Sequence, residues 1–227
     1  MELFNLDVAI ANIGPLLSGL LLTIELTLIV IVLSLVWGLM VALGRMYGPA
    51  PLRWTLASYV EVMRGTPFLL QLIYIYYVLP EIGIRLDSFT ASVIGLTLNY
   101  SAYMSEVYRS GIQAIGRGQT DAAAALGMTR ATALRRIVLP QAIRIVIPAL
   151  GNFFISLFKD TAICSAVSVH EVLFTAQVIA ARNFQYFTLY TVAGALYLAV
   201  GFPAARLVDY LEKVSRQGYS RRRKKRA

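Results

Sequence analysis

Between Leu16 and Leu43 the chain carries one charged residue, Glu25. About 20 consecutive apolar residues let an α-helix cross a bilayer, and this run is longer. No core that 227 residues can build in water would receive it on all sides. The rest of the chain repeats the pattern. Charged residues make up 15% of the sequence, against about 25% in an ordinary soluble domain, and they gather in short segments between apolar runs. Five spans are expected, over Leu16–Leu43, Leu56–Leu79, Ala91–Ile112, Ala142–Phe158 and Phe187–Leu207. The second ends at Pro80 and the fourth follows Pro140. The expected class is an all-α integral membrane protein.

Glu2 and Asp7 precede the first run, which is too long for a cleaved leader, so it reads as a retained span. The single cysteine, Cys164, excludes an intrachain disulfide. A net charge of +9 invites a nucleic-acid reading, but the distribution of that charge explains it better. Arg45, Arg53, Arg109, Arg117, Arg130, Arg135, Arg136, Arg144, Arg206, Lys213, Arg216 and Arg221–Arg226 fall on one side of the five spans. Arg85, Lys159 and Arg182 fall on the other, beside Glu81, Asp87, Asp160 and Glu171. Basic residues favour the cytoplasmic side. The C-terminus and the loop 116–140 are therefore expected inside and the N-terminus outside. Residues 1–216 read as one transmembrane domain. Residues 217–227 read as a basic tail against anionic lipid head groups.

The loop contains Gly118-Gln-Thr-Asp121-Ala-Ala-Ala-Ala-Leu-Gly127-Met-Thr-Arg, and then Ile137-Val-Leu-Pro140. Thr120 or Asp121 is expected to cap a short helix, with the Asp121 charge at its positive end. Four alanines favour the helix and leave it a slim surface. Gly127 suits a left-handed residue that ends it. Thr129 is expected to cap a second helix that stops by Pro140. From physics alone this is either an ordinary loop or a surface that another protein's cleft approaches closely.

Several segments carry a resemblance. Asp121, Ala122, Ala123, Gly127, Ile137, Leu139 and Pro140 match the EAA loop of ATP-binding-cassette importer permeases, with Asp121 where that family usually has Glu. Met63-Arg-Gly-Thr-Pro-Phe-Leu-Leu-Gln71 resembles the polar amino acid branch. So do Leu96-Thr-Leu-Asn-Tyr-Ser-Ala-Tyr-Met-Ser-Glu106 and Gly151-Asn-Phe-Phe-Ile-Ser-Leu-Phe-Lys-Asp160-Thr. The resemblance runs from about Leu16 to Lys213. It implies a type I importer permease in a bacterial inner membrane. It implies that the loop docks on a separate ATPase subunit, which binds ATP and Mg. A second permease subunit and a periplasmic amino-acid-binding protein complete the complex it implies. No cofactor is expected in this chain. A stand-alone secondary transporter or channel for a small zwitterion remains as the alternative.

Charge inside a membrane is costly and faces a partner or a cavity. Glu61 and Arg64 are three apart and are expected to pair beside the helix break at Gly65-Thr66-Pro67. Asn99, Tyr103 and Glu106 share a stripe of the third span. They read either as a lining for a zwitterion or as interhelical bonds, with Arg109 pairing Glu106. On the lining reading, Glu106→Gln lowers transport and leaves assembly intact. Asp160, Thr161 and Asn152, the last two turns before Asp160, read equally as cavity-facing groups. Glu25 is expected to find a partner on a neighbouring helix or subunit. His170 stands apart from any Cys/His cluster, so no metal site is expected. No phosphate-binding Gly-x-x-x-x-Gly-Lys segment and no nucleophile–base constellation is present, so no catalytic residue is assigned.

Overall fold

The computed structural model describes the backbone of residues 3–224, and the side chains in that range other than those of residues 117, 130 and 214–224. The described residues are helical nearly throughout, with no strand. Helix α1 (Leu6–Tyr47) holds the longest apolar run. Asn5 caps it by accepting from the Val8 N–H at 3.1 Å, and the Asn5 N–H donates to Thr188 Oγ1 at 3.0 Å. At 1.5 Å per residue α1 is about 63 Å long, more than a bilayer core requires.

The second expected span is two helices. Helix α2 (Ala50–Gly65) and helix α3 (Phe68–Ile73), which continues through a π turn and a 3-10 turn to Ile82, meet at 108°. Pro67 lacks the N–H that would carry the ladder across, and it pushes Thr66 out of the helical region. Helix α4 (Ser88–Gln113) follows, capped by Asp87 accepting from the Thr90 N–H. The loop contributes α5 (Arg117–Ala125) and α6 (Arg130–Ala133). A π turn, Leu134–Val138, then leads directly into α7 (Leu139–Asp160) and a 3-10 segment, Thr161–Val167. Helices α8 (Val172–Asn183) and α9 (Tyr186–Lys224) close the chain.

Helix α4 lies at the centre, against α1, α2, α3 and α7. Its contact with α1 is the most extensive between helices of the described residues. A Cβ at Gly38 would stand 2.9 Å from the Ser101 carbonyl oxygen and 3.0 Å from Met104 Cβ, so only glycine lets these backbones approach. Leu26, Val30, Leu72, Leu96, Met104 and Leu157 form the core around this crossing. A second cluster joins Leu16 of α1 to Val172, Ala176 and Ala180 of α8 and Leu189 and Ala193 of α9. The outer faces of α1 show Leu21, Leu28, Val32 and Val36, an apolar surface suited to lipid.

Three helices, Leu6–Tyr47, Ala131–Val167 and Tyr186–Lys213, are long and apolar enough to cross a membrane, and the bent α2–α3 pair makes a fourth if counted as one. The expected count of five is thus three or four by composition. The difference is α4, which covers the third expected segment. It is rich in Ser and Thr; some of its polar groups bond to neighbouring helices and some to its own backbone, and Ser92 Oγ and Thr97 Oγ1 are buried without a hydrogen-bond partner among the described residues. Tyr59 of α2 donates to the Leu98 carbonyl at 2.6 Å, and Ser105 donates to the Ala102 carbonyl at 2.7 Å.

Two loop expectations are corrected. Helix α5 begins at Arg117 after Gly116, with no side-chain cap, so Thr120 and Asp121 lie inside the helix. Glycine is itself an acceptable residue at that position. The helix after Thr129 does not stop at Pro140. The Leu139 N–H reaches back five residues to the Leu134 carbonyl, and this wider turn absorbs the bond that Pro140 removes. Helix α8 lies between the fourth and fifth expected spans, where the sequence predicted no element. Helix α9 continues across 216–217, and the lipid contact expected of the basic tail 217–227 falls on side chains outside the described ones.

Candidate functional site

The break between α2 and α3 leaves backbone carbonyls without helical donors. Two amides satisfy them. Gln71 Nε2 donates to the Met63 carbonyl at 2.9 Å, the Thr66 carbonyl at 3.1 Å and Thr66 Oγ1 at 2.7 Å. Asn99 Nδ2 donates to the Met63 carbonyl at 3.1 Å and to Gln71 Oε1 at 3.0 Å. Asn99 is buried, so its amide pins the broken helix to α4.

The expected pair of Glu61 and Arg64 does not form. The ion pairs among the described residues are those of Glu106 with Arg45 and with Arg109. Arg64 instead lies over the Tyr103 ring, 5.5 Å from its centroid. The ring offers a negative π face, while Glu61 stays exposed on α2.

Tyr103 and Tyr100 both pack on Phe153 of α7, with ring centroids 6.1 Å apart in each case. Tyr100 donates its hydroxyl to Asp160 Oδ2 at 2.7 Å. A cation, Arg64, and a carboxylate, Asp160, thus attach to adjoining tyrosines of one helix. That arrangement offers charges of both signs along α4. Thr161 is buried and donates to the Phe158 carbonyl at 2.7 Å, so its hydroxyl closes the end of α7. Asn152 is exposed on α7.

Glu106 stands apart from this group, where α1 and α4 end. Its Oε1 pairs with Arg45, and its Oε2 accepts from Arg109 Nη2 at 2.6 Å and Nε at 3.1 Å. Arg109 was expected from the i+3 spacing. Arg45 was read only as a marker of orientation.

In the loop, Gly127 has φ of +74°, a conformation that penalises a side chain, and the Met128 N–H donates to the Ala123 carbonyl at 3.0 Å. Thr129 Oγ1 accepts from the Thr132 N–H at 3.3 Å, the expected cap. Ala123 is buried against its own chain. Asp121, Ala122, Ala124, Ala125 and Pro140 are exposed, and Leu126 is 80% exposed. Ile137 and Leu139 are half-buried.

The sequence reading took Glu171 only as an outer-side charge and assigned it no structural role. Glu171 is fully buried, caps α8 by accepting from the Leu173 and Phe174 N–H groups at 2.9 and 2.6 Å, and accepts the Tyr197 hydroxyl at 2.6 Å. Burial pushes its carboxyl above the usual range, and these three bonds pull the other way. His170 packs edge-on against Phe174, with centroids 4.8 Å apart. Glu25 is exposed on α1, with no ion-pair partner among the described residues.

The family of binding-protein-dependent transport system inner membrane components matches residues 34–217. The L-cystine transport system permease protein TcyB of Bacillus subtilis (strain 168) is 39% identical over 209 residues, covering 91% of this chain and 89% of that protein. The arginine transport system permease protein ArtQ of the same strain is 35% identical over 196 residues, covering 85% of this chain and 90% of its own. A solved amino acid ABC transporter, determined with histidines, superposes with a TM-score of 0.86 at 38% identity. That match covers 90% of this chain and 95% of its counterpart.

Proposed function

The chain belongs to the family of binding-protein-dependent transport system inner membrane components and is the non-catalytic permease subunit of an amino-acid ABC importer; on that premise we propose that it passes polar L-amino acids inward across a bacterial inner membrane. A stand-alone transporter has no use for the loop and gives way to this reading. The chain crosses the membrane five times, α4 included, with its N-terminus outside and its C-terminus in the cytoplasm. A second permease subunit, identical or paralogous, faces it across the path. A periplasmic binding protein delivers the amino acid, and a separate ATPase binds ATP and Mg.

The observation that carries the coupling step is α5. It is a slim alanine helix ending in a left-handed glycine, with Leu126 projecting 80% exposed. A large apolar side chain with so little internal contact suits a pocket on a partner. Asp121, Ala122, Leu126 and Gly127 form the docking face. Ala123, Ile137 and Leu139 brace it from their own chain, and the exposed Pro140 stands beside the face. Leu126→Glu and Ala122→Glu are expected to reduce co-purification of the ATPase at least tenfold while the chain still folds. Undiminished ATPase with both variants would overturn the docking face. No ATPase on the wild-type chain would overturn the coupling itself.

The substrate path runs along the exposed side of α4. Arg64 over Tyr103 suits the carboxylate of the amino acid, and Asp160 suits its ammonium or guanidinium group. Asn152 borders the same path on α7. Asn99, Thr161 and Glu106, whose polar groups are engaged within the chain, hold the helices that form it. A charge-assisted bond contributes about 1.5–3 kcal/mol. Asp160→Asn is therefore expected to lower uptake about tenfold or more with ATPase retention unchanged. Unchanged uptake of every amino acid tested would remove Asp160 from the path.

A further inference from the structure

Lys159 and Asp160 are neighbours that point about 100° apart, as adjacent residues on a helix do. Asp160 turns toward α4, where Tyr100 holds it. Lys159 turns away, into a groove of about 380 Å³ between α7, α8 and α9. Leu173, Tyr190, Ala193, Gly194 and Tyr197 line the groove with it, and Lys159 is the only charged residue among the lining. The Tyr197 hydroxyl is already committed to Glu171. Lys159 has no ion-pair partner among the described residues. The groove opens on the outer surface of the bundle, where Lys159, Tyr190 and Gly194 are exposed.

An ammonium group beside apolar helices requires a counter-ion, and the described part of the chain supplies none. We propose that this groove binds an anionic phospholipid, its phosphate on Lys159 and one acyl chain along Leu173, Ala193 and Gly194. A free anion fits less well, because beyond the Tyr190 hydroxyl the rest of the lining is apolar or already bonded and favours a ligand with a hydrocarbon part. A second copy of the chain fits less well too. A two-fold contact centred on the groove presents the same patch from both sides, and it would set two uncompensated lysines against each other. The lysine stem suits a lipid, lying along hydrocarbon with its charge at head-group level.

The glycine gives the site an independent handle. A Cβ at Gly194 meets nothing within 4 Å, so a larger side chain fills the groove without disturbing the helices. The test uses the intact importer complex in discs of mixed phosphatidylglycerol and phosphatidylcholine. Native mass spectrometry counts the lipids retained on wild type, Lys159→Gln, Lys159→Arg and Gly194→Leu. Wild type is expected to retain phosphatidylglycerol in preference to phosphatidylcholine. One basic residue near head groups contributes about a fivefold preference, which Lys159→Gln should remove and Lys159→Arg should keep. Gly194→Leu should lower retention of both lipids, because it occupies the acyl chain's place and leaves the charge.

Equal retention of the two lipids by wild type, or wild-type retention by both Lys159→Gln and Gly194→Leu, overturns the proposal. Displacement of the bound lipid by millimolar inorganic phosphate makes the groove a plain anion site and overturns it as well. Efficient cross-linking of Gly194→Cys to a second copy assigns the groove to a protein interface, with the same consequence.

Discussion

Replacing Glu106 by Gln is expected to lower the denaturation midpoint of the purified complex as well as its uptake rate. The lining reading of the sequence expects a milder result, loss of transport with assembly intact; the alternative, interhelical bonding with Arg109, is the one the geometry extends. The structure sets the carboxylate between two arginines, Arg45 closing α1 and Arg109 on α4. Their side chains are 15% and 34% exposed, so water screens the pair only in part. Without the carboxylate, two guanidinium groups face each other across the ends of the two helices that share the most extensive contact. Breaking a fully buried pair costs about 3–5 kcal/mol and an exposed one under about 1. About 2 kcal/mol is a reasonable value between them. Adding Arg45→Gln to Glu106→Gln removes the excess cation and should recover about half of that loss. A Glu106→Gln complex with wild-type stability and reduced uptake would show instead that the carboxylate meets the substrate.

The sequence disclosed whatever one segment decides by itself. The apolar run in α1, the helix break before Pro67, the left-handed Gly127 and the Thr129 cap all follow from local chemistry. Features that depend on which helices meet were hidden. Pro67 announces a break but not a bend of 108°. Nor does it announce that Gln71 and Asn99 take up the carbonyls left there. Spacing pairs Arg64 with Glu61, but the tyrosine ring of another helix competes and wins. Pro140 reads as a stop, and a π turn one residue earlier lets the helix continue. Ala123 looks equivalent to its neighbours in sequence, but only the fold shows that it faces inward. The candidate path suffers most from this limit. Asn99 and Tyr103 share a stripe of α4, yet one is consumed by the helix break and the other lies under an arginine.

Glu171→Ala should be the most damaging single change outside the membrane-spanning helices. The carboxylate satisfies two backbone N–H groups that begin α8 and the Tyr197 hydroxyl of α9, and the Glu171 side chain itself is fully buried while its partners are half-buried. Its backbone also borders Gly19 of α1, where a Cβ would stand 3.0 Å from the Glu171 carbonyl carbon. Alanine leaves three donors unpaired, and each costs about 1–3 kcal/mol. The expected loss exceeds about 3 kcal/mol, seen as loss of the folded complex on extraction. Glu171→Gln is milder, since its oxygen keeps part of the donor set. It also isolates the titration. A carboxyl raised by burial binds its proton more tightly folded than unfolded, so stability is greatest at low pH and falls as pH rises from the ordinary carboxylate value through the raised one. Glu171→Gln should flatten that fall in denaturation midpoint. A wild-type midpoint that rises with pH over the same window, and flattens in the variant, would mean that Leu173, Phe174 and Tyr197 outweigh burial and hold the carboxylate ionised.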